Sequence, residues 1–196
     1  MTTDPEVLVD KANQVLEVYH LRLDRTTGSA YHVFCSVYTS VLCASDVPKD
    51  VQEALWVLFD DNMGKLAAGT SLATPKDEKL EELFDPATRF IIYSSVPLGS
   101  DAADSDNFAQ DKLLGFASIR FDTEDTLDSQ EYEDGVRATV VYIYELQVAS
   151  YTRALGLGRR LLSECEALGE AIGLQKTMLT CLKNNGQGLR FYMHNG

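Results

Sequence analysis

An arginine followed by two closely spaced glycines, Arg153-Ala-Leu-Gly156-Leu-Gly158, stands where a strand ends and a helix is predicted to begin. Glycine lowers helix stability, so this pair indicates a need for backbone without side chains. Bare N–H groups at a helix N-terminus bind anions, and the helix dipole favours negative charge there. Since the Arg153 guanidinium adds a fixed positive charge, the segment predicts a site for a ligand that carries phosphates.

The spacing of this turn separates it from two other phosphate-binding motifs. No Gly-Lys-Ser/Thr follows, which excludes a Walker A loop, and the glycines do not form the dinucleotide-binding Gly-x-Gly-x-x-Gly. A Gly-x-Gly pair alone does not specify a phosphate site, so the elements that position it have to be considered.

Hydrophobic periodicity and capping residues predict, in chain order, a helix, a strand, two helices, three strands, a helix, a strand and a helix. The glycine turn therefore follows the fourth strand and opens the fourth helix. We expect helices over 4–18, 48–63, 74–84, from the turn to Gly173, and over 184–196, and strands over 31–42, 89–96, 112–121, 135–148 and 176–182. A polar link over 99–111 and an acidic connection over 122–134 join the middle strands.

The composition suits one α/β or α+β domain, with 45% hydrophobic and 24% charged residues among 196. We expect a single domain over 1–196, in which 1–30 form an N-terminal helical extension. No apolar run approaches the roughly 18 residues of a membrane helix, and the N-terminus lacks a signal-peptide pattern. An intracellular protein without a membrane partner is therefore expected.

The formal net charge of −13 disfavours nucleic acid as a direct partner. It favours a cationic ligand, although a solvated acidic surface is the more ordinary explanation of the charge alone. The cysteines lack CxxC spacing and the histidines are dispersed, so neither a disulfide framework nor a metal site is expected. The cysteines (Cys35, Cys43, Cys165 and Cys181) are interpreted as small core residues.

Two motifs of this chain resemble the signatures of the GNAT acetyltransferase superfamily. The segment from Arg153 to Gly158 resembles its Arg/Gln-x-x-Gly-x-Gly/Ala pyrophosphate loop, which likewise stands between the fourth strand and a helix. About 27 residues further on, Asn185-x-x-Gly188-x-x-x-Tyr192 resembles its second signature, Asn-x-x-Ala-x-x-x-Tyr. Glycine replaces the usual alanine at position 188. The two signatures stand on the expected elements at the expected spacing.

Further segments resemble the histone-directed N-terminal acetyltransferases of the NatD type. These segments are "YIYELQV" (142–148), "KTMLTCLKNNG" (176–186), "VDKANQVL" (9–16) and "RFDTE" (120–124). The resemblance is dense from residue 112 onward and thin between 20 and 110. It implies a GNAT fold, with a mixed, mostly antiparallel sheet flanked by helices and an extra N-terminal helix. A GNAT domain normally adds two strands after the last helix, so these strands are expected to be missing from the sequence given.

The resemblance implies acetyl-CoA as co-substrate and assigns residues to it. The pantetheine is expected along the fourth strand, and the pyrophosphate on the glycine turn. The assigned cofactor-binding residues are Leu146, Gln147, Val148, Arg153, Ala154, Leu155, Gly156, Leu157, Gly158 and Asn185.

The resemblance also implies an acceptor, the α-amine of a histone tail (histone 4 or histone 2A) that begins Ser-Gly-Arg-Gly. Tyr142, Tyr144 and Thr180 match positions that hold the first residues of such a peptide. Asp122 and Glu124 match carboxylates that meet its arginine through charge-assisted hydrogen bonds.

Amine chemistry bears on this interpretation independently, since an amine attacks a thioester only when neutral. Near pH 7 an α-amine is roughly 14% neutral, but a lysine side chain only about 0.04%. We predict Glu145 as the general base, acting directly or through water, and the N–H near Val148 as the oxyanion donor. Tyr192 is a candidate acid for the departing thiolate, but the family often has phenylalanine there, so it is not expected to be essential.

Taken singly, these residues have ordinary structural explanations. Tyr142 and Tyr144 alternate on a strand, as packing tyrosines do. Glu145 is expected on the opposite face from Tyr144, as a surface carboxylate, unless a β-bulge re-aims it. Asp122 and Glu124 could simply begin the acidic connection. Only as a set, under the resemblance, do they indicate a site.

One departure concerns the peptide site and leaves three hypotheses open. The family has a tyrosine and a tryptophan after the first core helix, whereas 64–76 contain no aromatic residue. The first hypothesis is a histone α-amine acetyltransferase, a monomer of the cytoplasm and nucleus that acts on histone tails or at the ribosome. The second is a GNAT enzyme for a lysine, another N-terminus or a polyamine. The third is a module that binds CoA or a basic tail without turnover.

Overall fold

The computed structural model describes residues 5–15, 37–70, 73–98, 110–125 and 137–195. In chain order the helices and strands are α1 (Pro5–Val15), β1 (Tyr38–Cys43), α2 (Lys49–Ala67), α3 (Lys76–Leu83), β2 (Arg89–Ser94), β3 (Leu113–Asp125), β4 (Arg137–Val148), α4 (Leu157–Ile172), β5 (Lys176–Leu179) and α5 (Gly186–Asn195). Short 3-10 turns cover Ala44–Asp46, Gln110–Lys112 and Ser150–Thr152. The predicted order of helices and strands is confirmed.

The strands form one five-stranded sheet in the order β1-β2-β3-β4-β5. The first four strands run antiparallel to their neighbours, and β5 pairs parallel to β4. The chain reaches β5 from β4 by crossing over through α4, as a parallel pair requires. The predicted α/β architecture, with a mixed, mostly antiparallel sheet flanked by helices, is confirmed.

Helices cover both faces of the sheet and define two apolar clusters. On one face α2 packs Leu55 and Leu58 against Phe90 and Phe116 of the sheet. On the other face α4 packs Leu161 and Cys165, both fully buried, against β3 and β4. Burial of such side chains contributes about 1.5–3 kcal/mol each. The sheet is therefore held rigidly between two layers.

The helix α4 has clear end signals, both of them glycines in the left-handed region. Gly156 at the N-cap and Gly173 at the C-cap each have φ near 82°. At the C-terminal end, the Gly173 N–H bonds to the Glu170 carbonyl and the Leu174 N–H bonds to the Gly169 carbonyl. This is the pattern of a Schellman motif, which ends the helix as the sequence predicted.

A β-bulge in β4 shifts the alternation of its side chains. On β3, Ser118 lies opposite Glu145 and the next residue, Ile119, lies opposite Ile143, so Tyr144 is the extra residue. Side chains before the bulge, such as Ile143, and after it, such as Leu146, both pack in the α4 cluster. Glu145 therefore lies on the same face as Tyr144, the face covered by α2 and α3.

Some predicted ranges differ from the structure or lie outside it. Of the strand expected over 31–42, the structure describes β1 (Tyr38–Cys43). Residues 31–36, most of the polar link over 99–111 and most of the acidic connection over 122–134 lie outside the described residues. β3 runs to Asp125 and so includes the start of that connection, because 122–125 pair with β4. β5 ends at Leu179, three residues before its predicted end, and Thr180 follows it. In the described part of the chain, no helix is long and apolar enough to cross a membrane.

Candidate active site

A cavity of about 790 Å³ opens where β4 and β5 part. The two strands pair only from Val140 opposite Lys176 to Ile143 opposite Leu179. Beyond that point β5 ends, while β4 continues to Val148. The cavity is lined by the end of β4, the glycine turn, and residues of α2, α3 and α5. It brings together side chains that are far apart in the sequence.

The glycine turn forms one end of this cavity. Gly156 adopts φ 82°, and Ala154 also has a positive φ of 63°. This backbone turns the chain from the 3-10 turn into α4 and leaves the N–H groups of the first helical turn without intrahelical partners. A Cβ on Gly158 would lie 3.4 Å from the Phe191 ring, so the space between the turn and α5 is narrow. The turn has the geometry of an anion site.

Arg153 is exposed and lies beside this turn, and its guanidinium has a partner on α2. Its Nη2 donates to Asn62 Oδ1 at 2.5 Å. The Asn62 Nδ2 in turn donates to Gln147 Oε1 at 3.0 Å and to the Val148 carbonyl at 3.2 Å. Asn62 therefore links the predicted phosphate ligand Arg153 to the end of β4. Asn62 was not predicted from the sequence, because no motif marks it.

The last residues of β4 present backbone groups to the gap. The Ala149 N–H bonds to the Leu114 carbonyl on β3 at 3.0 Å. Because bonded and non-bonded pairs alternate in an antiparallel ladder, the N–H groups of Leu146 and Val148 point away from β3. They face the side where β5 is no longer paired. This strand edge suits a ligand whose chain carries amides, together with a diphosphate held at the glycine turn.

Glu145 is the buried carboxylate of the site, with only 9% of its surface exposed. Its Oε1 lies 3.0 Å from Lys79 Nζ, and its Oε2 accepts a hydrogen bond from Gln147 Nε2 at 2.9 Å. Burial raises the pKa of Glu145, while the Lys79 ammonium and the Gln147 amide oppose that shift. A carboxylate with a raised pKa at a cavity wall is suited to accept a proton near neutral pH.

Lys79 comes from α3 and was not predicted from the sequence. Its ammonium also bonds to Glu82 Oε1 at 3.1 Å and lies 5.0 Å from the centre of the Phe59 ring. Burial favours the neutral amine, but the carboxylates of Glu145 and Glu82 outweigh it, so the pKa of Lys79 is raised. Lys79 is therefore a cation fixed against the wall of the cavity. Its charge is neutralised by carboxylates on two elements.

The tyrosines and Thr180 lie together at the same end as Glu145. The Tyr142 hydroxyl and Thr180 Oγ1 are 2.5 Å apart, and the rings of Tyr142 and Tyr144 are 5.0 Å apart. The Arg120 guanidinium lies 4.4 Å from the centre of the Tyr144 ring and donates to Thr88 Oγ1 at 3.0 Å. Arg120 thus fixes the Tyr144 ring from β3.

Asp122 and Glu124 do not line this cavity. They follow Arg120 on β3, with Asp122 exposed and Glu124 half-buried. Asp122 Oδ1 accepts a hydrogen bond from the Thr123 N–H at 2.7 Å. Burial raises the pKa of Tyr144, and the charge of Asp122 adds to that rise against the opposing charge of Arg120. Asp122 therefore lies near enough to act electrostatically on Tyr144. Glu124 is two residues further from the site.

The residues of the second signature line the cavity from α5. Asn185 Oδ1 accepts a hydrogen bond from the Gly188 N–H at 2.9 Å, which caps the helix. A Cβ at Gly188 would lie 2.7 Å from Asn185 Nδ2, so glycine gives this cap its room. Burial raises the pKa of Tyr192 to about 12, and its phenol stays protonated near neutral pH.

Leu155 differs from the other predicted cofactor residues, since its side chain is 66% exposed and does not line the cavity. Any contact it makes with a phosphate comes from its backbone. Cys165 and Cys181 are free thiols, and no group of three potential metal ligands occurs among the described residues. Of these, Cys165 is fully buried, as predicted for a core residue.

Solved structures from several sources share this fold. An aminoglycoside acetyltransferase from an uncultured soil metagenomic sample, in complex with trehalose, matches with a TM-score of 0.51 at 18% identity, over 81% of this chain and 86% of that one. An integron cassette protein from V. cholerae matches with 0.52 at 16%, over 82% and 84%. A transcriptional regulator from Bacillus halodurans matches with 0.51 at 17%, over 81% and 92%. At these identities the likeness concerns the fold alone.

A family model extends the likeness to sequence. The model described as the acetyltransferase (GNAT) family matches residues 76–196, more than half of the chain. This family uses acetyl-CoA as co-substrate. The glycine turn, with its free N–H groups and Arg153, fits the diphosphate of that molecule, and the edge of β4 fits its amide-bearing arm. On the matched sequence, the fold and this fit, the chain belongs to the GNAT family of acetyltransferases.

Proposed function

We propose that this acetyltransferase is an N-α-acetyltransferase whose acceptor is the N-terminal serine amine of a histone tail beginning Ser-Gly-Arg-Gly, of histone 4 or histone 2A. The observation that carries the proposal is the β-bulge at Tyr144. It brings Glu145 to the face that holds Tyr142 and Tyr144, at one wall of the cavity that ends at the glycine turn. The proposed base, the two tyrosines and the glycine turn thus line one cavity.

The charge of the acceptor end supports a basic peptide. Glu82 lines the cavity, and Asp122 follows on the neighbouring strand. The whole chain carries a net charge of −13, which attracts a cationic tail over several ångströms. Carboxylates also pair well with the planar guanidinium of an arginine, such as the third residue of the proposed peptide.

The proposed reaction transfers acetyl directly from acetyl-CoA to the amine. The neutral α-amine attacks the thioester carbonyl, so that a C–N bond forms and the C–S bond breaks. The amine proton passes to Glu145, directly or through a water, and the thiolate of CoA takes up a proton as it departs. The N–H of Val148, which faces the gap, is the donor proposed for the developing oxyanion. Tyr192 is the residue proposed to supply a proton to the thiolate.

This proposal carries further expectations for the biology of the chain. The histone tail is the proposed protein partner, and a monomer of the cytoplasm and nucleus is the proposed form. We expect no direct partner among nucleic acids or membranes. Glu124 and Asp122 are proposed to meet the arginine of the tail, and Thr180 with Tyr142 to hold its first residues.

The test is mass spectrometry of synthetic peptides after incubation with acetyl-CoA. The first peptide begins Ser-Gly-Arg-Gly, and its matched control carries an acetyl group on the serine but is otherwise identical. A second control replaces the arginine by alanine. We expect one acetyl group on the first peptide, none on the blocked one, and a lower kcat/KM on the third because it lacks the guanidinium that would pair with the carboxylates of the protein.

The outcomes separate the competing functions. Acetylation of the blocked peptide on an internal lysine, or of a polyamine in preference to any peptide, would favour a GNAT enzyme for another amine. Calorimetric binding of CoA without product from any amine would favour a binding module. Either result would overturn the proposed acceptor while leaving the fold and family untouched.

A further inference from the structure

We propose that Lys79 is the specificity-determining residue of the acceptor site, a fixed ammonium that disfavours amines almost fully protonated at the working pH and admits amines with a substantial neutral fraction. The inference rests on the proposed function, in that it takes an amine as the acceptor. It assigns to α3 a role that neither signature motif contains.

The contacts of Lys79 fix its charge in one place. The ammonium is bonded to Glu145 at 3.0 Å and to Glu82 at 3.1 Å, and the side chain is only 14% exposed. Its position over the Phe59 ring, at 5.0 Å, adds a cation–π contact from α2. Three partners on three elements leave this long side chain little freedom. A cationic ligand would displace the ammonium of a mobile surface lysine from its carboxylate partners, whereas these contacts hold the Lys79 ammonium in place.

The position of this cation matters because Glu145 is the proposed base. An acceptor amine must approach Glu145 to lose its proton, and there it meets the Lys79 ammonium. A lysine side chain, with a pKa near 10.4, arrives protonated and finds Glu145 already paired with Lys79, so its charge has no free carboxylate to bind there. An α-amine, with a pKa near 7.8, has a substantial neutral fraction that is not repelled. Lys79 therefore turns a difference in acceptor pKa into a difference in binding.

Lys79 also determines the ionisation of Glu145. The groups that face Glu145 are Lys79 and Glu82 from α3, Gln147 from β4, Ser118 from β3, Asn62 from α2 through Gln147, and Tyr192 from α5. Lys79 is the cation among these groups. Without Lys79, burial and the charge of Glu82 would both favour the protonated form of Glu145. The same residue thus keeps the base ionised and filters what approaches it.

The experiment uses Lys79→Met and Lys79→Gln, since the glutamine keeps a hydrogen-bond donor to Glu145 but removes the charge. Lys76→Met is the matched control. Lys76 lies one turn earlier on α3, 5.1 Å from the centre of the Trp56 ring and 3.7 Å from Glu53, away from the cavity. Each protein is assayed with the Ser-Gly-Arg-Gly peptide and with a blocked peptide whose single amine is a lysine side chain. The kcat/KM values are measured from about pH 6 to about pH 10, a range that spans both acceptor pKa values.

We expect the ratio of kcat/KM for the α-amine to that for the lysine amine to fall about tenfold in both Lys79 variants, mainly through a lower KM for lysine. The acid limb of the α-amine profile should move to higher pH, because Glu145 then binds its proton more tightly. Lys76→Met should change neither. Lys79→Arg keeps the charge and should restore most of the ratio.

The outcomes distinguish the two levels of inference. If the wild-type protein acetylates neither peptide, the proposed function fails. If the wild type is active but the Lys79 variants, shown to be folded by circular dichroism, keep the wild-type ratio and acid limb, only the role of Lys79 is overturned. If Lys79→Met does not fold, Lys79→Gln and Lys79→Arg decide, since a ratio that is equal in those two variants overturns the role of the charge.

Discussion

The two ends of the cavity are built in different ways. At the proposed cofactor end, the diphosphate site consists of six consecutive residues, Arg153 to Gly158, whose backbone turns into α4. The proposed acceptor end is assembled from α2, α3, β3, β4 and the residue after β5. Its contacts join residues that are far apart in the chain, such as Lys79 on α3 and Glu145 on β4.

This difference follows from what each end is proposed to bind. A diphosphate needs N–H groups and positive charge. One short turn that includes an arginine can supply both. An amine that must lose a proton needs a carboxylate whose pKa is raised by burial. Such burial requires several elements packed around the carboxylate. Changes at the cofactor end should therefore alter the affinity for CoA, whereas changes at the acceptor end should alter kcat.

The largest effect is expected at the acceptor end, from Glu145→Gln. The amide keeps the size of the side chain but cannot accept the amine proton, so kcat should fall about 10²- to 10⁴-fold. Affinity for CoA, measured by calorimetry, should change less than about twofold, because the glycine turn is intact. Glu81→Gln, an exposed carboxylate on α3, is the control. Equal rates for Glu145→Gln and the wild type would remove Glu145 as the base.

The next effect is expected at the cofactor end, from Arg153→Ala. Loss of the charged partner should raise the Kd for CoA about 10- to 100-fold, in line with a hydrogen bond to a charged group. The kcat at saturating acetyl-CoA should stay close to wild type, since Arg153 connects to Glu145 indirectly, through Asn62 and Gln147. Arg190→Ala removes an exposed arginine of α5 and serves as control. A drop in kcat with unchanged Kd would contradict the division between the two ends.

A smaller effect on both ends is expected from Asn62→Ala. Its side chain bonds Arg153 at the cofactor end and Gln147 beside Glu145 at the other. Loss of the partner that positions Arg153 and Gln147 should cost about 1 kcal/mol at each end, so the Kd for CoA should rise about fivefold and kcat should fall by a similar factor. Asn184→Ala, which removes a bond to the Leu66 carbonyl at 2.9 Å and whose own side chain does not line the cavity, is the matched control. A change in the Kd for CoA alone, or in kcat alone, would show that the two ends are not coupled through Asn62.

The smallest effect is expected from Tyr192→Phe. The phenol has a pKa of about 12 and is protonated at neutral pH, so it can donate a proton to the thiolate. A thiol with a pKa near 8.5 is nevertheless a good leaving group, and water can protonate it. We therefore expect kcat to fall less than about threefold from pH 7 to pH 9, in assays of thiol release. A loss of 100-fold or more would make Tyr192 the essential acid.

The sequence predicted most of the fold because its local signals agree with one another. The order of helices and strands is confirmed, as are the glycine that ends α4 and the position of the turn after β4. Thr180 was expected within a strand, yet β5 stops one residue earlier because the sheet opens there. The bulge at Tyr144 was foreseen only as a condition for Glu145 to join the site. Its existence depends on the pairing with β3, which the pattern of β4 alone does not contain.

By itself, the sequence determined the position of the glycine turn, the carboxylate at position 145 and the net charge. These are properties of single residues or of a few neighbours, and local backbone preference is enough to express them. Only the tertiary structure decided that Lys79 neutralises Glu145, that Asn62 joins Arg153 to β4, and that Leu155 faces away from the cavity. The physical reason is that burial and ion pairing arise between elements, so their strength depends on which surfaces the folded sheet brings together.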